Sequence, residues 1–398
     1  MRVAHAQRTA PTGTPTKKAS DLQRPSHLVH VFPTFAYGGV PIRIADVISR
    51  LDGAYRHSIL SLDGRTDAKS RIDTKIDAHF PQPPSGRLPG LVPTIARWLK
   101  TARPDLLLTY NWGAIEWALS SRLMRGLRHI HFESGFGPEE ADRQLPRRDL
   151  FRRVALSGSE RLVVPSHLLV RIATQQWRVE PSKVLLLPNG VDLARYRPDA
   201  GKPDIFAKPG DHPRPLVGTV SPLRKEKALD RLLRAAAPLL REGRCTLLIA
   251  GDGAERPTLE ALATQLGIAS RTRFLGHVED VAAFMPLLDV FCLTSDTEQM
   301  PNALLQAMAS ACSVAAVDVG DVARILSREN RALVVPRDDE PALTVMLNRL
   351  LDDGALRRAL GAANRRQAEE HYDLRDMVRA YEALFWNTAL PTKIPKTL

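Results

Sequence analysis

Short apolar runs alternate along this chain with stretches whose apolar positions fall three or four residues apart, the pattern of buried strands joined by amphipathic helices. A first round of strands is predicted at His27 to Phe35, His57 to Asp63, Asp105 to Tyr110, Arg128 to Glu133, Arg161 to Pro165 and Lys183 to Leu187. A second round follows at Leu216 to Val220, Thr246 to Ala250, Thr272 to Leu275, Val290 to Leu293, Ser313 to Val317 and Ala332 to Val335. Two such rounds predict an α/β chain of two doubly wound, Rossmann-like domains with parallel sheets. The first would span residues 26–196 and the second 216–373, joined by a linker at 197–215 rich in Pro, Asp, Lys and Gly. Residues 1–25 read as a basic, disordered tail, and helical pattern dominates after Glu340, ending in the run Leu374 to Ala389.

A length of 398 residues allows two full cores, and 44% apolar with 25% charged residues is ordinary for a soluble globular protein. Nothing resembles a transmembrane run or the apolar core of a secretory signal, so a cytoplasmic location is expected. Cys245, Cys292 and Cys312 lie on or beside predicted core elements without metal-ligand spacing, which predicts buried thiols and no metal site.

Charge changes the picture more. The net +12 sits entirely in the first half: residues 1–200 hold 30 Lys and Arg against 18 Asp and Glu, and the remainder balances. A basic first domain beside a neutral second one points to an anionic partner such as a lipid diphosphate, a membrane surface or an acidic glycan. Nucleic acid is less supported, because Arg147, Arg148, Arg152 and Arg153 come without aromatics spaced for base stacking. Leu91 to Lys100 has the spacing of a helix lying on a membrane, although that pattern more often belongs to a core-facing helix.

The most informative stretch is Ser295 to Ala311, SDTEQMPNALLQAMASA, a strand end, a polar turn and an abrupt helix start. Free amides at such a start, together with the helix dipole, suit phosphate oxygens, while Glu298 can accept hydrogen bonds from hydroxyls. A sugar nucleotide carries both groups.

This stretch resembles the donor-binding signature of the family 4 (group 1) retaining glycosyltransferases of GT-B fold. In that signature a Glu, a Gly/Pro turn, a Leu-rich helix and a second Glu grip a nucleotide sugar. The resemblance runs over roughly residues 27–389. It implies two Rossmann-like domains facing a cleft, with the last helix crossing back to the first domain. Glu298 would meet the donor sugar, Met300, Pro301 and Asn302 would form the turn and helix start, and Gln306 would stand at the ribose, where the family has the second Glu. Ala311 and Ser313 also depart from the family's Gly and Pro. In VGTVSPLRKEKALD, Lys227 matches the family lysine on the donor diphosphate and Arg224 stands near the arginine's place, two cations that would stabilise the leaving group. Gly38 and Gly39 resemble the loop that lies across the cleft, with Arg43 one turn beyond as an acceptor-phosphate candidate. Gly251 and Gly253 in AGDG border the nucleotide or merely turn the chain. His277 in FLGHVED lies where backbone groups read the base.

In HFESG, Ser134 falls where the family places a His near the reacting carbon. His131 and Glu133 remain as acceptor-side candidates or as structural residues. Asn189 in PNGVD reads as a turn former. The implied activity is transfer of a sugar from a UDP- or GDP-sugar to a glycan or lipid-linked, anionic acceptor, with retention and with neither metal nor cofactor. Two other readings stay open. A catalytically weak GT-B protein acting as a nucleotide-binding or partner subunit fits Gln306, Ala311, Ser313 and Ser134. A Rossmann-type epimerase would need a full GxGxxG and a Tyr/Lys pair, and neither appears.

Overall fold

The Val-, Leu- and Ile-rich runs become the centres of two parallel sheets, each covered by helices, because strands buried on both faces read as continuous apolar segments. The computed structural model describes residues 26–51, 55–136, 140, 144–200 and 215–391. The tail at 1–25 and most of the linker, 201–214, lie outside the described residues.

The first sheet contains β1 (Ser26–Phe32), β2 (Tyr55–Ser61), β3 (Ala78–His79), β4 (Leu106–Tyr110), β5 (Arg128–Phe132), β6 (Arg161–Val164) and β7 (Val184–Leu186), in the order β3-β2-β1-β4-β5-β6-β7. The second contains β8 (Leu216–Val220), β9 (Thr246–Ala250), β10 (Thr272–Gly276), β11 (Val290–Leu293), β12 (Ser313–Asp318) and β13 (Val335–Pro336), in the order β10-β9-β8-β11-β12-β13. Strand order reverses between β1 and β4 in one sheet and between β8 and β11 in the other. Open α/β sheets bind ligands at such switch points, beyond the carboxyl ends of the strands.

Several strands stop short of the apolar pattern. β1 ends at Phe32 and β6 at Val164, each directly before a proline, which has no N–H for the ladder. Residues 332–334 belong to the turn before β13 and not to the strand expected there. β3 is only two residues long and left no apolar signal. The four N-terminal-domain helices used below are α1 (Gly39–Ile48), α2 (Leu91–Ala102), α3 (Ile115–Ser121) and α4 (Pro146–Leu156). On α2, Ile95, Ala96 and Leu99 are buried and Trp98 packs edge-on against Trp117 of α3 at 5.4 Å. Its apolar stripe therefore faces the core, the commoner of the two readings of Leu91 to Lys100, and does not lie on a membrane.

The last helix, Leu374–Trp386, buries Leu374, Met377, Val378, Tyr381, Leu384 and Phe385 in the core of the first domain. Tyr381 stacks on Phe132 of β5 with ring centroids 5.2 Å apart. Arg128 fixes the helix end by donating to the carbonyls of Phe385 at 2.6 Å and Leu384 at 3.0 Å, while Glu160 neutralises it at 2.8 Å. The helix thus crosses back from the second domain onto the first. It stops at Asn387, whose left-handed φ of 54° ends it before Ala389.

Candidate active site

The turns after β1, β8 and β11 meet in the cleft at the two switch points. The turn after β1 delivers Gly38 and Gly39 to the start of α1. A Cβ on Gly39 would stand 3.3 Å from Asn302 Nδ2, so the loop lies against the opposite domain. Arg43, one turn into α1, is buried and held on both sides: Nη1 donates to Asn189 Oδ1 at 2.6 Å and Nη2 to Ser134 Oγ at 2.9 Å.

Asn189 in turn donates through Nδ2 to the Met300 carbonyl at 3.1 Å and to Asn302 Oδ1 at 3.0 Å. One buried amide thereby ties α1 to the start of the helix Asn302–Ala309, beyond the turn role that PNGVD suggested. Sequence reasoning missed it because its three partners are far apart along the chain.

Across the cleft, β8 runs into a single turn at Lys225–Lys227, closed by Ala228 in a left-handed conformation, before the helix Leu229–Arg241. β11 runs into Thr294 to Asn302. Arg231 braces that turn, donating to the Thr294 carbonyl at 2.6 Å and to Asp296 at 2.8 Å. Lys227 Nζ donates to Glu298 Oε1 at 2.6 Å, and Ser295 Oγ donates to the same oxygen at 2.8 Å. The pair is partly shielded, with side-chain exposures of 21% and 12%, so its attraction is screened less than that of a surface pair. Gly320 permits this arrangement: a Cβ there would lie 1.8 Å from the Glu298 carbonyl oxygen, and its φ is +55°. Pro301 is the N-cap of the helix Asn302–Ala309, one position ahead of the first turn, and no side chain caps that start.

A cavity of about 380 Å³ lies between the domains and brings together Gly39, Arg43, His277, Asn302 and Gln306. These are the expected base, ribose and loop residues together with the first-domain arginine. Lys227 and Glu298 are not among its lining residues; they meet each other beside the same helix start. Arg224 is 66% exposed, with its guanidinium 4.0 Å from Glu226. Met300 is buried and faces a different cavity, with Asp321 and Tyr372. Gly251 and Gly253 are explained by packing: a Cβ on either would strike the carbonyl of Ser221 or Leu223, at 1.9 and 2.4 Å, and Gly251 has a φ of +136°.

His131 and Glu133 are fully buried, so in this arrangement neither touches an acceptor. His131 Nδ1 bonds Thr109 Oγ1 at 2.7 Å, and Glu133 Oε2 lies 3.9 Å from His131 Nε2 and 3.8 Å from Arg152 Nε. Arg152, itself buried, forms two hydrogen bonds with Glu140 at 3.0 and 2.8 Å and lies over Trp112, Phe136 and Trp177. Burial alone would raise the Glu140 pKa, yet bonds from Arg152, the Leu145 amide and Arg148 hold it down at about 2. The three cysteines are buried free thiols, with burial pushing Cys245 up to about 11 and Cys312 to about 12.

This architecture is the GT-B fold of glycosyltransferases. HepE of Anabaena in complex with UDP and glucose superposes with a TM-score of 0.76 at 17% identity, covering 91% of this chain and all of that one. WaaG, a glycosyltransferase of lipopolysaccharide biosynthesis, gives 0.70 at 18%, covering 90% and 99%. Two family models match in tandem, Glycosyltransferase Family 4 over residues 37–195 and Glycosyl transferases group 1 over 214–353. The chain belongs to the family 4, group 1 glycosyltransferases. Among curated relatives, the alpha-D-kanosaminyltransferase of Streptomyces kanamyceticus is 30% identical over 54% of this chain and 51% of its own length. The D-inositol 3-phosphate glycosyltransferase of Kineococcus radiotolerans is 29% identical over 67% of each. The chain thus spans about half the length of the first relative and two thirds of the second.

Proposed function

We propose that this protein transfers a sugar from a nucleoside diphosphate sugar, UDP- or GDP-linked, to a glycan or lipid-linked acceptor, with retention at the anomeric carbon and without metal or cofactor. The observation that carries the reading is the Lys227–Glu298 pair at the start of the helix Asn302–Ala309, beside a cavity shared by Gly39, His277, Asn302 and Gln306. The bound UDP and UDP-glucose of HepE support a nucleotide-sugar donor.

In this reading the base lies toward His277 and the ribose against Gln306. The diphosphate takes the free amides at the helix start and the Lys227 ammonium, with Arg224 swinging in from solvent. Glu298 is then released to hold the sugar hydroxyls. As the anomeric carbon–oxygen bond breaks, its electron pair passes to the diphosphate, where Lys227 and the helix dipole offset the growing charge. The acceptor oxygen bonds the same face of the carbon, and its proton moves to the leaving phosphate. Isothermal titration of the purified protein with UDP, GDP, ADP and their sugars tests this. Tight binding of one nucleotide family, lost in Glu298→Ala or Lys227→Ala, is expected; binding of none would sink it in favour of a partner subunit.

A further inference from the structure

The arginines of α4 and of the turn following α3 are not used by the cleft, and three large apolar side chains stand open among them. Leu123, Leu150 and Val154 are 58%, 62% and 46% exposed. Along α4 the outward positions include Arg147, Leu150, Arg153 and Val154, spaced three and four apart on one face, with the exposed Ser157 as the C-cap. The opposite face carries Arg152, Ala155 and Leu156 into the core.

Arg122, next to Leu123 in the chain, binds the turn to this helix by donating to the Val154 carbonyl and to Ser157 Oγ at 3.0 Å. Lys183 reaches the same end, its Nζ donating to the Ser157 carbonyl at 2.9 Å. The acid of α4, Asp149, turns inward to accept from Trp177 Nε1 at 2.9 Å. Among the described residues, no carboxylate belongs to the exposed face of α4 or to the turn at 122–126.

We propose that this face docks the first domain on an anionic lipid bilayer, with Leu123, Leu150 and Val154 entering the headgroup boundary and Arg122, Arg125, Arg147, Arg153 and Lys183 lying over lipid phosphates. The charge selects the occupant. A protein partner or a second copy of this chain would have to bury five cations against a complementary acidic patch, whereas apolar side chains ringed by arginine match an interface that is apolar below and anionic above. The proposal does not depend on the nucleotide-sugar reading, since no residue of the face lines the cleft.

Co-sedimentation of the full chain with vesicles of equal parts phosphatidylglycerol and phosphatidylcholine, against pure phosphatidylcholine, tests it. The wild type is expected to pellet with the anionic vesicles alone and to be released by salt. Leu150→Asp and the pair Arg147→Glu with Arg153→Glu should each stay largely in the supernatant. The arginine contribution is on the order of fivefold in partitioning per cation neutralised, and larger on reversal. Both variants change exposed side chains, so unchanged melting temperature and nucleotide binding separate docking from misfolding. Wild type remaining unbound, or variants binding as the wild type does, overturns the proposal. So does a dimer in sedimentation velocity that Leu150→Asp dissociates, which would give the face to a second copy.

Discussion

Lys227 Nζ and Glu298 Oε1, 2.6 Å apart, join the turn after β8 to the turn after β11 across the switch point of the second sheet. In the structure each charge satisfies the other; in the proposed reaction the ammonium would turn to the donor phosphate and the carboxylate to the sugar hydroxyls. Removing one partner therefore does two things at once: it deletes a donor contact and leaves the other charge partly shielded and unpaired. Lys227→Ala is expected to lower kcat/KM at least about a hundredfold, the scale of losing a group that stabilises developing charge. Adding Glu298→Ala should then cost much less than Glu298→Ala alone, because residues in one network are not additive. A Lys227→Ala enzyme within a few-fold of wild type would remove this pair from the reaction.

Gln306 lines the interdomain cavity with His277 and Asn302. A carboxylate at that position would accept ribose hydroxyl bonds of roughly 1.5 to 3 kcal/mol in place of roughly 0.5 to 1.5 for the amide. Gln306→Glu should tighten nucleotide binding about tenfold, measured as Kd by titration. Unchanged affinity would place the ribose elsewhere.

Much of this architecture was legible in the chain because parallel sheets buried on both faces leave uninterrupted apolar runs; β8, β9 and β11 match their runs residue for residue. What the chain concealed depends on distance in sequence. Asn189 looks like a turn former, and only folding brings Arg43, Met300 and Asn302 to its one amide. His131 and Glu133 sit at a strand end where exposure is common, yet both are fully buried, with Arg152 3.8 Å from Glu133. Arg224 stands 66% exposed at the edge of its turn, a setting that the short motif around it does not reveal.

Ala311 shows a departure from the family pattern with a backbone cause. It follows the helix Asn302–Ala309 with φ of 58°, the left-handed conformation in which a helix ends and in which a Cβ is strained by roughly 1–2 kcal/mol. Glycine removes that strain but gains freedom in the unfolded chain, which offsets roughly 0.4–1 kcal/mol. Ala311→Gly should therefore stabilise the second domain by several tenths to about 1 kcal/mol, read as a rise in its melting temperature. A fall would show that the methyl group packs better than the backbone suffers.

Histidines in the first sheet make its stability depend on pH. His30 is fully buried between Tyr110 Oη and His57 Nδ1, each at 3.0 Å, and His129 bonds Thr109 Oγ1 at 2.8 Å and Ser159 Oγ at 3.1 Å. Burial disfavours the imidazolium, holding His57 down at about 4 and His129 at about 3, with His30 also well below the usual 6.5. The unfolded chain protonates these rings near pH 6.5 while the folded domain leaves them neutral. Below 6.5 the unfolded state thus binds more protons, and stability falls as pH drops toward the folded values. Above 6.5 the contribution is complete and flat. Each ring adds a slope of about 1.4 kcal/mol per pH unit once the unfolded chain is fully protonated. Three such rings make the loss between pH 6.5 and 5 several kcal/mol, in a range where carboxylates contribute little. Thermal unfolding followed from pH 8 to 5 should show a plateau and then a steep descent of the first domain's transition. An unchanged midpoint across that range would mean the rings are already protonated in the folded sheet.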